Sequence, residues 1–155
     1  MAAMERERVA AGADYELYQF RRPGKASCSY GLVCGKEMML FDPAKNITAY
    51  QTFADEKKCT ITKTFETHRQ ADYISGSPML QQTLGTEILA PPADFQVATF
   101  DYTPVNNGDQ FSFTHGGPIV KVIHTPGHTP GCTSYLIDDK FIVTGDTIFI
   151  FSMGR

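Results

Sequence analysis

The order of extended and helical stretches predicts a layered α/β domain. Strand-like runs outnumber helical ones, helices interrupt only the first half, and several polar residues fall at strand ends on loops braced by Gly and Pro. A chain of 155 residues holds one such domain with little room for a second, and 42% apolar against 20% charged residues suffices for a core. Disorder, collagen and coiled coil are thereby excluded. Lys plus Arg number 14 against 17 for Asp plus Glu, a net charge of -3, so nothing in the charge balance suits a nucleic-acid backbone. No apolar run approaches the roughly 20 residues that cross a bilayer, and no membrane partner is expected.

The elements follow in order. Residues 1–14, MAAMERERVAAGAD, lack the apolar stretch of a secretory signal and read as a frayed or weakly helical tail, with the domain over 15–155. Residues 15–20 read as a strand and 21–25, RRPGK, as the turn after it. Residues 28–33 and 38–41 form a hairpin across Gly35-Lys36, and Asp42-Pro43 stops it because proline has no N–H to continue the ladder. A helix over 46–56 is built of indifferent formers, among them Ile47, Thr48 and Thr52. A strand over 60–64 runs into Glu66-Thr67-His68, and a helix is predicted over 72–84, with Pro78 in its first turn and Gly85 closing it. Residues 87–90 read as a short strand and Pro91-Pro92 opens a loop. The stretches 109–113, 119–123, 133–137 and 141–144 are extended, the last two joined by an Asp138-Asp139 turn. Cys28, Cys34, Cys59 and Cys132 make no C-x-x-C pair and are few for a disulfide scaffold. Free, mostly buried thiols in a reducing cytoplasm are the simplest account.

Chemistry concentrates at strand ends. His68 follows the strand at 60–64, His124 and His128 lie in HTPGHTPG after 119–123, and Asp146 follows 141–144. Such loops hold side chains rigidly at one edge of a sheet. Two histidines and one carboxylate can make the facial triad of a mononuclear non-haem Fe(II) site. His115 belongs to no such group and is expected to face solvent.

These residues carry a resemblance. FETHRQADYISGS (65–77) is similar to the H-x-H-x-D-H motif of the metallo-β-lactamase fold. HTPGHTPGCTSYLIDD (124–139), VTGDTIFIFSMGR (143–155) and Phe41-Asp42-Pro43 resemble its other metal motifs. The likeness covers about 15–155 and implies an αββα sandwich, incomplete here: the N-terminal portion of the fold, with a fused or missing C-terminal portion. Within the superfamily the chain most resembles the persulfide dioxygenases (sulfur dioxygenases of the ETHE1 type). Ser27-Cys28-Ser29-Tyr30, Glu66-Thr67-His68, the run 126–132 and Gly154-Arg155 carry that likeness.

The resemblance implies Fe(II) ligation by His68, His128 and Asp146. It places Asp42 behind the histidine loop as an orienting carboxylate, His124 outside the ligand set in a supporting role, and Cys132 and Arg155 in the pocket. Arg21 and Arg22 are candidates to meet an anionic substrate. Two departures matter: Gln70 and Tyr73 stand where the motif has its second and third histidines, while Asp72 remains. Neutral amide and phenol replace imidazole poorly on zinc, which damages a two-zinc reading and leaves the three iron ligands intact. The implied activity is oxidation of a low-molecular-weight persulfide, such as glutathione persulfide, by O2 to sulfite. The alternatives are a zinc-dependent thioester hydrolase of the glyoxalase II type and a degenerate, catalytically inactive member that binds metal poorly or not at all and serves as a structural or binding module. A homodimer is compatible with each.

Overall fold

The computed structural model describes residues 3–70, 74–149 and 152–153, and it is built of two packed sheets with helices outside. The larger sheet has seven strands in strict chain order: β1 (Glu5–Ala11), β2 (Tyr15–Arg21), β3 (Cys28–Cys34), β4 (Glu37–Phe41), β5 (Thr60–Phe65), β6 (Glu87–Ala90) and β7 (Thr103–Pro104). The first four form an antiparallel meander, and from β4 onward neighbours are parallel. The change falls where α1 (Thr48–Lys57) and α2 (Ser77–Leu84) enter the chain, because a parallel neighbour requires a crossover whereas a hairpin requires only a turn. Gly35, at φ +58, makes the tight turn between β3 and β4.

The second sheet is antiparallel, in the order β11–β10–β9–β8: β8 (Gln110–Phe111), β9 (Val120–His124), β10 (Thr133–Ile137) and β11 (Phe141–Val143). A 3-10 turn at Gly145–Thr147 follows, then β12 (Ile148–Phe149) paired with β13 (Ser152–Met153).

Side-chain alternation explains the layering. In β4, Met39 and Phe41 point toward the second sheet, where Val122, Tyr135 and Ile137 meet them. Met38 and Leu40 point the other way, onto Tyr50, Phe53 and Ala54 of α1 and Leu80 of α2. Both faces of β4 are covered, so from Met38 to Phe41 it is an unbroken apolar run rather than an alternation. Phe41, Phe65 and Tyr135 form an aromatic knot between the sheets, with ring centroids 5.0–5.7 Å apart. Among the described residues both helices lie on the outer face of the large sheet, giving helix, sheet, sheet in that order.

Several expectations are corrected. The segment expected to fray as a tail contains β1, an edge strand paired antiparallel to β2 and flanked by exposed ion pairs of Glu5 with Arg21, Arg8 with Glu16 and Arg6 with Glu56. Its alternating charges are those of an exposed edge, which resists pairing with other chains. The second helix starts at Ser77 rather than 72. Residues 74–76 instead hold the chain against 43–44, through a Ser75–Ala44 bridge and a Gly76 N–H bond to the Pro43 carbonyl. A Cβ on Gly76 would lie 2.3 Å from the Ala44 carbonyl oxygen, so that approach requires glycine. The extended stretch at 109–113 shrinks to β8, and β7, β12 and β13 were not anticipated. All four cysteines are free, with Cys132 buried and the others half-buried. Among the described residues no helix is long and apolar enough to cross a membrane.

Candidate metal centre

The chain brings His68, His128 and Asp146 together. His68 lies just beyond β5, His128 in the loop between β9 and β10, and Asp146 in the 3-10 turn after β11. The Nε2 atoms of His68 and His128 stand 3.7 and 3.6 Å from Asp146 Oδ2, and one donor atom from each of the three residues falls within 4.8 Å of the others. Those separations are too long for good hydrogen bonds. They are close to the ~3.4 Å between two ligands that each sit ~2.1 Å from a tetrahedrally bound ion. The imidazole planes are nearly perpendicular, at 85°. His68 is buried, while the His128 and Asp146 side chains are about one third exposed, so the convergence point opens to solvent on one side. Two imidazoles and a carboxylate, converging and partly open, are a donor set that suits a divalent cation.

A relay behind His68 fixes its ring. Asp42, at φ +49 just after β4, accepts the Thr67 backbone N–H on Oδ1 at 2.8 Å and the Thr67 hydroxyl on Oδ2 at 2.7 Å. Thr67 Oγ1 lies 2.9 Å from His68 Nδ1. A hydroxyl has one proton; given to Asp42, it leaves the oxygen to accept Nδ1–H, and the lone pair of His68 then sits on Nε2, facing Asp146. The order expected for Asp42, behind the histidine loop, is thus realised through Thr67. Burial, then the neighbouring Glu66 charge, pushes the Asp42 carboxyl well above the usual carboxylate range, against the pull of its two Thr67 bonds. Glu66 is likewise raised by burial and is held by the Ser75 and Ser77 hydroxyls at 2.5 Å each. Gly145, at φ +53, lets the Asp146 turn press on this relay, since a Cβ there would stand 2.3 Å from Thr67 Oγ1.

The remaining candidates separate. His124 is not among the converging donors: its Nε2 lies 3.0 Å from the Pro130 carbonyl and braces the loop that carries His128. Cys132 is buried, accepting the Thr129 N–H on its sulfur at 3.2 Å. His115 is exposed in its turn. Arg21 pairs with Glu5, and Arg22 donates to Ser27 Oγ at 3.1 Å. Gln70 Nε2 lies 3.5 Å from His68 Nδ1, beside the ring. Asp72, Tyr73 and Arg155 lie outside the described residues. Sequence reasoning missed Asp94 and gave Thr67 no role of its own. Thr67 sat in view within the histidine motif, whereas Asp94 lies in a loop without periodicity or motif.

A cleft of about 380 Å³ reaches Asp146 and Asp42 and is bounded by Cys28, Tyr30, Gln70 and Ile148. Burial pushes the Cys28 thiol up, which keeps it protonated at neutral pH. An apolar cavity of about 340 Å³, lined by Ile74, Pro78, Phe95, Val97 and Phe100, meets the cleft at Gln70.

Comparison with known proteins adds kinship to this geometry. The family model of the metallo-beta-lactamase superfamily matches residues 26–155. Hydroxyacylglutathione hydrolases of Brucella ovis and Brucella abortus are each 34% identical over 129 residues, covering 76% of this chain and 49% of theirs. The chain therefore spans about half the length of the curated relatives it matches. A metallo-beta-lactamase from Staphylococcus aureus superposes with a TM-score of 0.84 at 29% identity, covering 92% of this chain and 44% of that one. ETHE1 from Myxococcus xanthus superposes at 0.70 with 22% identity, covering 99% of this chain and 61% of its own, which is a likeness of fold alone. These sequence relatives bear a hydrolase name, and the likeness to the ETHE1 structure is one of architecture.

Proposed function

Because this chain belongs to the metallo-beta-lactamase superfamily, we propose that it carries the metal-binding part of a thioester hydrolase. The substrate class is the hydroxyacyl thioester of glutathione or a related thiol, and one divalent metal is held by His68, His128 and Asp146. The observation that carries the metal reading is the convergence of both Nε2 atoms on Asp146 Oδ2, at 3.7 and 3.6 Å. The hydrolase names of relatives at 34% identity favour a thioester over a persulfide. A divalent ion there would acidify water and polarise the scissile carbonyl.

The chain's own residues supply the rest. Asp42 and Thr67 hold His68 with its Nε2 lone pair toward the site. Asp146, about one third exposed, stands on the solvent side, where a carboxylate can also orient water. Gln70 sits where the cleft meets the apolar cavity, so a substrate extending across it would place its apolar portion among Phe95, Val97 and Phe100.

A second reading, a persulfide dioxygenase with mononuclear Fe(II), is favoured by one observation. Gln70 replaces a motif histidine, while the two-histidine, one-carboxylate set needed for a facial triad is intact. Protein purified without oxygen separates the readings. Zinc content with turnover of a hydroxyacyl glutathione thioester under nitrogen, lost in His128→Ala, supports the hydrolase. Iron content with persulfide-dependent O2 uptake replaces it with the dioxygenase. A folded protein that takes up neither metal refutes both.

A further inference from the structure

We infer that Asp94 is a positioning residue that clamps the two histidine loops together, so that the imidazoles of His68 and His128 meet at one point. The inference rests on the proposed metal reading, but its physical basis is the carboxylate itself. Asp94 Oδ2 accepts the backbone N–H of Arg69 at 3.1 Å and the hydroxyl of Thr129 at 2.5 Å. Arg69 directly follows His68 in the chain, and Thr129 directly follows His128. One oxygen atom therefore bridges the residue after each histidine, between two loops that belong to different sheets. The other oxygen, Oδ1, accepts the Gly131 N–H at 2.8 Å, which secures the same loop a second time.

The local sequence is suited to this task. A Cβ on Gly131 would lie 2.5 Å from both Cγ and Oδ1 of Asp94, so only glycine lets the carboxylate reach that backbone. Other bonds of the His128 loop run from Gly127 N–H to the Thr129 carbonyl, from the Thr129 N–H and hydroxyl to the Cys132 sulfur, and from Thr125 Oγ1 toward Thr147 Oγ1 of the Asp146 turn at 3.3 Å. They shape the loop without joining it to His68. The Thr133 N–H bond to the Thr67 carbonyl, at 2.8 Å, joins the start of β10 to the residue before His68. Asp94 ties together the residues that follow the two histidines. A carboxyl group suits this arrangement, because two backbone N–H groups approach different oxygens and both oxygens must accept. In asparagine one of the two would face an NH2 group.

Asp94→Asn is the test, read in two ways against wild type and against Tyr50→Phe, which removes buried hydrogen bonds far from the clamp. Hydrogen exchange of the metal-free protein reports the Arg69 and Gly131 amides. Zinc affinity by chelator competition, with the visible spectrum of the Co(II)-loaded form, reports the donor geometry. Both amides are expected to exchange faster together in Asp94→Asn, and zinc affinity to fall by about 10- to 100-fold with an altered Co(II) spectrum. Tyr50→Phe should change neither. Unchanged exchange and affinity within threefold would overturn the inference, as would an equal affinity loss in Tyr50→Phe. If Asp94→Asn does not fold, Thr129→Val removes one clamp bond and is judged by the same measurements. Should wild type bind neither zinc nor cobalt, the metal reading falls, while the exchange data still decide whether Asp94 joins the loops.

Discussion

Replacing Thr67 with valine tests the relay behind the candidate centre at nearly constant volume. The hydroxyl gives its proton to Asp42 Oδ2 at 2.7 Å and faces His68 Nδ1 at 2.9 Å, with all three residues buried. Its loss removes one buried hydrogen bond, ~0.5–1.5 kcal/mol, and strands a buried Nδ1–H, ~1–3 kcal/mol. Partial relaxation brings the expected loss to about 2 kcal/mol. The chain has no tryptophan, so urea unfolding is followed by far-ultraviolet circular dichroism. Zinc affinity should drop at the same time, by about 10- to 100-fold, because the ring loses what sets its tautomer. Thr67→Ser restores the hydroxyl and should lie within ~1 kcal/mol of wild type, the lost methyl being its main cost. A valine variant as stable as wild type, with zinc binding intact, would refute the relay.

Three further outcomes follow from the same contacts. Gly145→Ala places a methyl 2.3 Å from Thr67 Oγ1 at a backbone φ of +53. It should lower zinc affinity more than Gly24→Ala, where φ is +75 but the space is open, so titration of the two variants separates crowding from backbone strain. Asp42 and Glu66 are both raised by burial, so the metal-free native state keeps protons that the unfolded chain releases. Its stability should therefore fall as pH rises from about 4 into the neutral range, and Asp42→Asn should flatten that slope in urea titrations at several pH values. The Tyr15 phenol is pushed up to about 12 by burial and by its bond to Asp138. Ultraviolet titration should find it there, and lower in Asp138→Asn.

The parts of the fold visible in the sequence were those whose pattern is imposed by local physics. The β3–β4 hairpin was legible because Gly35 supplies a turn and Asp42-Pro43 an end. The parallel half of the sheet was less so. Its order depends on which side α1 and α2 pack, and that is decided by Leu80 meeting the same cluster as Tyr50 and Phe53. The strand β1 was hidden for the opposite reason. Glu5, Arg6, Glu7 and Arg8 are all exposed, so burial imposes no apolar alternation, and the pairing rests on the backbone ladder with β2 and on ion pairs that need the folded partners. The start of α2 was displaced because Gly76 answers to a contact with Ala44, more than thirty residues earlier in the chain.

The candidate site was legible for a topological reason. Strands β9 and β11 are both antiparallel to β10 and therefore run in the same direction, so their C-terminal ends reach the same edge of the small sheet. Any side chain just past either strand is delivered there, which accounts for His128 and Asp146. The start of β10 lies at that edge too, and its Thr133 N–H bonds to the Thr67 carbonyl, which ties the end of β5 and hence His68 to the same place. Three strand ends on two sheets thus meet through two antiparallel turns and one hydrogen bond. Asp94 had no such signature, because it works from a loop and its partners lie 25 to 37 residues away. Strand order brings the three donors to a common edge, but it leaves the loops free to differ by several ångströms. Angström-scale convergence has to come from groups that touch both loops, and the relay through Thr67 and the carboxylate of Asp94 occupy those positions.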